Sequence, residues 1–402
     1  TTVKTGDFTA VNGEGYFVNT TSGEIDVTLP AGTAGAVIAV KDYANTFDTN
    51  NCILVPNGSD KIGGDAASAI LSTEGLSVTL VFIDSTQGWL VTDDGLQSAA
   101  DTNPFIEATG GTITNTPTCR IHTFTGPGTF TVSTLADNAA NNLVSYMVVA
   151  GGGGGAAGQA GAGGAGGFRE VKSPVTPYTA SPLDGYPSAP NRVTVTATSF
   201  PITVGSGGSG RPAPSTDNGV NGSSSTFSTI TSAGGGGGGQ FNGGGANGGS
   251  GGGGGGNGPG NSGGTGNTPP VSPAQGNNGG DGTIPDAAGG GGGGATANGT
   301  NTVAPREGGP GGAGATTGIN GSNTTFAGGG GGGAGTGTGG CGGAGGGGKG
   351  GAGNQPTCVP SVAGTANTGG GGGGGGQPGG SPNQADGANG GSGIVIIRYK
   401  IA

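Results

Sequence analysis

The sequence predicts an all-β protein with a long glycine-rich tract inserted before its last strand. In residues 1–97, short β-type runs separated by turn residues recur about every 10 residues, the spacing of a β-sandwich or jelly roll. In residues 151–393 glycine dominates: the chain holds 108 glycines, and only 16 of them precede residue 151. Two apolar runs, residues 143–150 and 394–399, bracket the tract, so we expect them to be neighbouring strands.

Residues 1–97 are expected to form the sandwich or jelly-roll module. The run at residues 76–83 alternates along its length, which indicates a strand with one buried face. Residues 66–71 are expected to form one helical turn at most. The predicted strands are residues 16–18, 25–29, 37–40, 52–55, 76–83 and 89–91.

Residues 98–150, together with residues 393–402, form a predicted second β unit. Residues 120–125 and 129–133 flank a Gly-Pro-Gly turn, so we expect them to pair as a hairpin. The nearly continuous apolar run at residues 143–150 is typical of a central strand. Within the tract, residues 192–204 have the pattern of a further hairpin.

Charge is distributed unevenly along the chain, and this argues against one class of partner. Residues 1–150 carry 15 acidic and 4 basic side chains, whereas residues 151–402 carry 7 acidic and 8 basic ones. Because a nearly neutral surface does not attract phosphate backbones, nucleic acid is not an expected partner. No apolar run approaches the roughly 18 residues of a membrane-spanning helix, and we expect no membrane insertion.

The glycine-rich tract, residues 151–392, has few apolar side chains, so only its backbone can hold it together. Polyproline-II-type helices have three residues per turn and no internal hydrogen bonds, so each N–H and C=O needs a partner outside its own helix. Glycine at every third position would let such helices approach closely. Two runs offer this register: Gly152, Gly155, Gly158, Gly161, Gly164 and Gly167, and then Gly339, Gly342, Gly345, Gly348 and Gly351.

The tract is therefore predicted to be a packed bundle of polyglycine II helices. A flexible glycine linker is the main alternative, because glycine costs about 0.5–1 kcal/mol relative to alanine when it is fixed in regular structure. A collagen triple helix is disfavoured, since collagen needs one unbroken register and this tract resets its phase repeatedly.

The sequence carries no recognisable enzyme motif. The GxxxxGK pattern at residues 343–349 is followed by Gly350, where a P-loop has Ser or Thr. His122, the only histidine, has no nucleophile motif nearby and is interpreted as a structural residue. The four cysteines match no metal-site spacing; Cys341 and Cys358 either form a bridge or remain free thiols. We expect no enzymatic activity, no metal and no cofactor.

Several segments resemble proteins of marine bacteriophages. Residues 8–30 (FTAVNGEGYFVNTTSGEIDVTLP), 41–62 and 78–89 (VTLVFIDSTQGW) resemble a β module of marine phage virion proteins, cyanophage fibres among them. The glycine-rich domain that often follows this module is similar to residues 121–132 (IHTFTGPGTFTV), 146–155, 200–210, 226–239 and 391–399.

This resemblance implies a tail fibre or related virion appendage, usually a homotrimer that joins other virion proteins. It also implies a polyglycine-helix bundle that carries receptor-binding loops, as in the tip adhesins of T-even-like phages. We therefore expect a non-enzymatic fibre protein in which residues 1–97 form the trimer. Its expected receptor is a glycan or an outer-membrane protein of the bacterial surface.

The expected receptor contacts are polar and aromatic residues that interrupt the glycine runs: Tyr178, Tyr186, Gln240, Phe241, Asn242, Arg306, Glu307 and Gln355. The competing interpretation of each is a residue that only builds a turn. Two other functions remain open. One is an architectural subunit without a receptor, in a virion or in a secreted or cell-surface filament. The other is an ice-binding protein, which would need a flat face of regularly spaced threonines.

Overall fold

The chain forms two compact units, Thr1–Thr102 and Asn103–Ala402. The computed structural model describes residues 2–96, 104–256, 258, 261–283, 287–302, 306–353, 359–377 and 384–402. Across these residues the regular structure consists of strands, apart from two single-turn 3-10 helices at Ala139–Asn142 and Ala189–Asn191. The all-β fold class predicted from the sequence is confirmed.

The first unit contains two four-stranded sheets around one hydrophobic core. One sheet has the order β1 (Phe8–Thr9), β3 (Ile25–Thr28), β5 (Cys52–Val55) and β6 (Ala69–Leu71), and the other has the order β2 (Glu14–Val18), β4 (Val37–Asp42), β7 (Leu76–Asp84) and β8 (Gly88–Leu96). Burial alternates along β7, where Val78, Leu80 and Phe82 face the core. All six strands expected in this region are present.

Strand pairing in the first unit differs from that of a jelly roll, whose strands pair antiparallel. The chain alternates between the two sheets over its first five strands, so β1 and β3, β3 and β5, and β2 and β4 are parallel neighbours. The expected helical turn at residues 66–71 is also wrong, because β6 pairs antiparallel with β5. Leu71 packs into the core while Ile70 is exposed, a period of two that suits a strand.

The second unit is built on a central six-stranded sheet. Its order is β10 (Thr112–Asn115), β11 (Cys119–Phe124), β21 (Ile394–Lys400), β13 (Leu143–Val149) and β14 (Phe168–Val171), with β15 (Val193–Thr194) also paired to β13. A five-stranded sheet has the order β18 (Ile230–Ser232), β17 (Ser225–Phe227), β16 (Ser199–Thr203), β12 (Gly128–Thr134) and β9 (Glu107–Thr109). A two-stranded hairpin joins β19 (Ala315–Thr317) to β20 (Thr324–Phe326).

The predicted pairing of the two bracketing strands is confirmed. β13 and β21 are antiparallel neighbours, and Val149 lies opposite Ile394 where the glycine-rich tract leaves and re-enters the sheet. The side chains on the two faces of β21 pack into different hydrophobic cores. Val395 and Ile397 pack towards the five-stranded sheet, whereas Ile396 packs towards the hairpin of β19 and β20.

Two predicted hairpins are wrong. β11 and β12 flank the Gly-Pro-Gly turn, but β11 pairs with β10 and β21, whereas β12 pairs with β9 and β16. The turn is therefore a corner between two sheets, and Phe124 and Phe130 on its two sides enter the same core. Residues 192–204 likewise divide between two sheets, since β15 pairs with β13 and β16 with β12.

The glycine-rich segments of the second unit are joined to one another by hydrogen bonds between their main-chain groups. In the central segment, residues 151–156, the N–H groups of Gly151 and Gly154 donate to residues 223 and 220 of one neighbour, and those of Gly152 and Gly155 donate to residues 391 and 388 of another. The partner thus changes with a period of three residues. The neighbours that accept from this segment are residues 220–223, 388–391 and 161–164, and those that donate to it are 208–211, 235–238 and 372–375.

This close approach leaves no room for side chains at most positions. A Cβ added to Gly153 would lie 2.1 Å from the carbonyl oxygen of Gly236, and one added to Gly251 would lie 1.9 Å from that of Gly264. Non-bonded carbon atoms are in contact at about 3.5–4.0 Å, so neither methyl group fits. Fully buried alanines such as Ala162 and Ala165 mark the positions where a methyl group does fit.

We expect Gly153→Ala to destabilise the second unit, because the new methyl group must separate two backbone segments. Overpacking of this kind costs about 1–3 kcal/mol or more, which calorimetry would record as a lower unfolding temperature. Gly126→Ala is the matched control, since an added Cβ meets no atom within 4 Å there. It should leave stability unchanged or raise it by up to about 1 kcal/mol. Equal effects of the two substitutions would contradict the packing described above.

His122 of the six-stranded sheet is fully buried, and its ring packs against Phe130 of the five-stranded sheet. Its Nδ1 lies 2.7 Å from the carbonyl oxygen of Gly110 and its Nε2 lies 3.1 Å from the hydroxyl of Tyr399. Because a carbonyl can only accept, Nδ1–H is the donor and Nε2 accepts from Tyr399. Burial lowers the pKa of His122 below its ordinary value of 6.5, although the hydrogen bond to Gly110 acts in the opposite direction.

A lowered pKa in the folded state means that the neutral imidazole contributes stability at high pH. That contribution should be lost as the pH falls from about 6.5 through the lower pKa of the folded protein. His122→Gln keeps a donor and an acceptor but does not titrate, so its unfolding free energy should depend less on pH in this window. Urea unfolding at a series of pH values measures the difference. Parallel pH profiles for the two proteins would contradict the assignment of a buried neutral His122.

Candidate functional site

The glycine-rich segments reverse direction at turns that lie away from the sheets. Residues 151–156 lead from β13 to a turn at 157–159, residues 204–211 lead from β16 to a turn at 212–217, and residues 233–239 lead from β18 to a turn at 240–243. We call these three the distal turns. Gln159 links them to further segments, because its carbonyl accepts from Gly256 N–H at 3.0 Å and its Nε2 donates to the carbonyl of Gln377 at 3.0 Å.

The distal turns together enclose a cavity of about 400 Å³, which we call the distal cavity. Small-ligand pockets have volumes of about 300–1,000 Å³. The lining consists of one aromatic ring among amide and hydroxyl side chains, none of them charged: Ala157, Gln159, Ser215, Thr216, Gln240, Phe241, Asn242, Gln377 and Gln384. The structure thus brings three sequence-predicted residues, Gln240, Phe241 and Asn242, to one site.

Hydrogen bonds fix the backbone of the 240–243 turn. Gln240 N–H donates to Asn218 Oδ1 at 2.9 Å, and Gln240 Oε1 accepts from Asn242 N–H at 3.0 Å. The carbonyl of Phe241 accepts from Asn261 Nδ2 at 3.1 Å. Gln240 therefore builds the turn as well as lining the cavity, and the half-buried Phe241 ring is held on a defined backbone.

Sequence reasoning missed the other polar residues of the distal cavity. Gln159 carried a signal, because it is the only residue other than Gly or Ala between residues 151 and 167. Its φ of 47° places a non-glycine residue in the left-handed region, a conformation that such residues adopt infrequently. Gln384 brings a buried Oε1 that has no hydrogen-bond partner among the described residues.

Of three further residues predicted as receptor contacts, two lie outside the distal cavity and one is not described. Arg306 and Glu307 are both exposed, and Arg306 Nη1 approaches Thr336 Oγ1 at 3.4 Å. Arg306 has a φ of 64°, which is consistent with a turn residue. Gln355 lies outside the described residues, as does Cys358. Cys341 is an exposed free thiol.

Tyr178 and Tyr186 lie at the sheet end of the unit, apart from the other predicted contacts. Tyr186 packs against the core beneath the five-stranded sheet, and the Arg192 guanidinium lies 4.4 Å from its ring centroid. Tyr178 lines a second cavity, of about 380 Å³, with Arg398. Sequence reasoning missed Arg398, although it is a charged residue within an otherwise apolar run of β21.

A buried carboxyl group lies on the same side of the central sheet. Glu170 Oε2 accepts from Ser181 N–H at 2.9 Å, and Oε1 accepts from the hydroxyl of Thr317 at 2.5 Å. Burial raises the pKa of Glu170 above its ordinary value, and these hydrogen bonds oppose the shift. Burial and the nearby Glu170 also raise the pKa of Tyr178. Both groups therefore favour their neutral forms more than exposed ones would.

Within the described ranges, no three His, Cys, Asp or Glu side chains come together in a way that would hold a metal ion. The same ranges contain no helix with the length and apolar character needed to span a bilayer.

Comparison with known proteins identifies one family. The model of the glycine-rich domain family matches residues 124–400, which is more than half of the chain and takes in the described glycine-rich segments and the strands from β12 to β21. No curated protein sequence matches the chain. The match extends from the end of β11 to the last residue of β21, so the chain belongs to the glycine-rich domain family.

Proposed function

We propose that this protein is a non-enzymatic adhesin of a bacteriophage virion appendage, which binds a receptor on the host cell surface through its distal turns. The observation that carries the proposal is the distal cavity, where Phe241 lies among uncharged amide and hydroxyl groups on a hydrogen-bonded backbone. Its partners are a bacterial surface glycan or outer-membrane protein and other virion proteins.

The platform for this site is proposed to be a bundle of polyglycine II helices. Such helices have three residues per turn and no internal hydrogen bonds. Two observations along residues 151–156 support this: the accepting segment changes with a period of three residues, and every N–H group donates to a segment other than its own. A bundle bonded in six directions would be rigid, and rigidity reduces the entropy lost when a receptor binds.

The chemistry of the distal cavity suits a neutral polar ligand surface. An aromatic ring offers a flat apolar face, and Gln, Asn, Ser and Thr side chains offer both donors and acceptors. Sugar rings present the complementary combination of C–H faces and hydroxyl groups. Because none of the described residues that line the cavity is charged, a strongly ionic ligand would find no counter-charge among them.

The first unit is proposed to form a homotrimer. Phe17 and Tyr43 are 49% and 56% exposed, and their rings meet edge to face at 6.5 Å between centroids. Clustered exposed apolar side chains are typical of protein interfaces. An architectural filament subunit is the second candidate function, because the same apolar side chains would also suit contacts between successive copies.

Receptor binding is tested by pull-down of envelope fractions from a panel of bacteria with the immobilised full chain. We expect the wild type to retain at least one fraction, and we expect Phe241→Ala to weaken that binding about tenfold or more, since buried aromatic residues often contribute 2 kcal/mol or more to an interface. Ile113→Ala, which truncates an exposed apolar residue of β10, is the control and should bind as the wild type does. Retention of no fraction by the wild type, or equal binding by Phe241→Ala, would contradict the proposal.

Oligomeric state is tested by light scattering of the purified full chain. We expect a mass three times the 36.9 kDa of one chain. Replacing Phe17 and Tyr43 together by Glu should reduce it to the monomer mass, because burying two unpaired carboxylates in an apolar interface is unfavourable. Ser22→Glu, at an exposed polar position, should remain trimeric. Open-ended filaments in electron micrographs would instead favour the architectural function.

A further inference from the structure

Arg398 is a charged residue on a buried face of the central sheet. It lies in β21 opposite Ile121 on one side and Ser145 on the other, and it follows Ile394 and Ile396 on the face covered by the β19–β20 hairpin. Only 4% of its surface is exposed. Arginine is almost never this deeply buried unless it is paired, so its partners are informative.

Among the described residues, the hydrogen-bond acceptors of the Arg398 guanidinium are all main-chain carbonyls. Nη2 donates to Pro177 O at 2.8 Å, and Nη1 lies 3.3 Å from both Gly318 O and Ile319 O. A guanidinium has five N–H donors, so these three bonds leave two unused. One of them is on Nε, which is buried and has no partner among the described residues. The nearby carboxyl group of Glu170 is bonded instead to Ser181 and Thr317.

Arg398 lines the second cavity, of about 380 Å³, which lies between the loop at residues 177–179 and the turn at residues 318–323. We call it the arginine cavity. Hydroxyl and amide side chains at Thr116, Thr179, Ser322 and Asn323 contribute to its lining. The Tyr178 ring forms a further wall, with the Arg398 guanidinium 5.1 Å and Lys172 Nζ 5.9 Å from its centroid.

We propose that the arginine cavity binds a small carboxylate, with an acidic sugar such as a uronate as the class of ligand that fits it. A carboxylate oxygen accepts strong, charge-assisted hydrogen bonds from arginine, and beside the enclosed Nε–H the described contacts leave one N–H of Nη2 without a partner. Among the described residues of the lining, Arg398 alone is charged, so a single negative charge is matched. The hydroxyl and amide groups of the other wall suit the hydroxyls of a sugar.

This site is separate from the distal cavity and does not rest on the proposed receptor function. The two cavities share no lining residue, and they lie at the sheet end and at the distal turns respectively. Loss of envelope binding by Phe241→Ala and loss of carboxylate binding at Arg398 are therefore independent results.

Saturation-transfer NMR on the full chain tests the proposal with three probes: D-glucuronate, D-glucose and inorganic phosphate. We expect saturation of glucuronate by the wild type and none of glucose, which lacks the carboxylate. Arg398→Gln should weaken glucuronate binding about tenfold or more, because it removes charge-assisted hydrogen bonds. Gly126→Ala is the control and should bind as the wild type does.

A blocking variant keeps the test decisive if Arg398→Gln fails to fold. Ser322→Phe places a ring at an exposed position of the cavity rim. It leaves Arg398 in place, and it keeps the hydrogen bond that the backbone N–H of residue 322 donates to Asn320 Oδ1. It should fold and lose glucuronate binding. Absence of glucuronate binding by the wild type, unchanged binding by Ser322→Phe, or stronger binding of phosphate than of glucuronate would each overturn the proposal.

Discussion

Hydrogen bonds between main-chain groups of neighbouring glycine-rich segments are the interaction on which the second unit depends. Residues 151–156 donate to three other segments and accept from three more, so this stretch of backbone is bonded on all sides. Each such bond contributes only about 0.5–1.5 kcal/mol net. The added Cβ of Gly153 would already collide with a neighbouring carbonyl. The backbone of the glycine residues therefore makes the packing contacts here, a role that leucine and valine side chains have in an ordinary core.

The sheets supply what the glycine segments lack, which is a side-chain core and a fixed starting point. β13 and β21 set the register at which the tract leaves and returns, and their apolar residues bury both faces of the central sheet. Because an added Cβ would collide with neighbouring backbone at most glycines of the packed segments, large side chains are concentrated at the turns and at the sheet end. This explains why the two cavities lie at those two places.

The sequence predicted the features that depend on local patterns and on composition. Alternation at residues 76–83 located β7, and the apolar runs at 143–150 and 394–399 located β13 and β21 and their pairing. It failed where the outcome depends on distant parts of the chain. The sequence of the Gly-Pro-Gly turn does not distinguish a hairpin, in which the two flanking strands pair, from a corner, in which they enter two different sheets. Gln159 and Arg398 became candidate site residues only once segments far away in the sequence were in place beside them.

Hydrogen–deuterium exchange of the glycine-rich segments is the most direct test of the central claim. If main-chain bonds between segments hold the second unit together, amides of residues 151–155 should be protected to a degree comparable with those of β13, because both open only with the unit as a whole. Exchange of these glycine amides at the rate of an unstructured peptide, while β13 remains protected, would contradict the account.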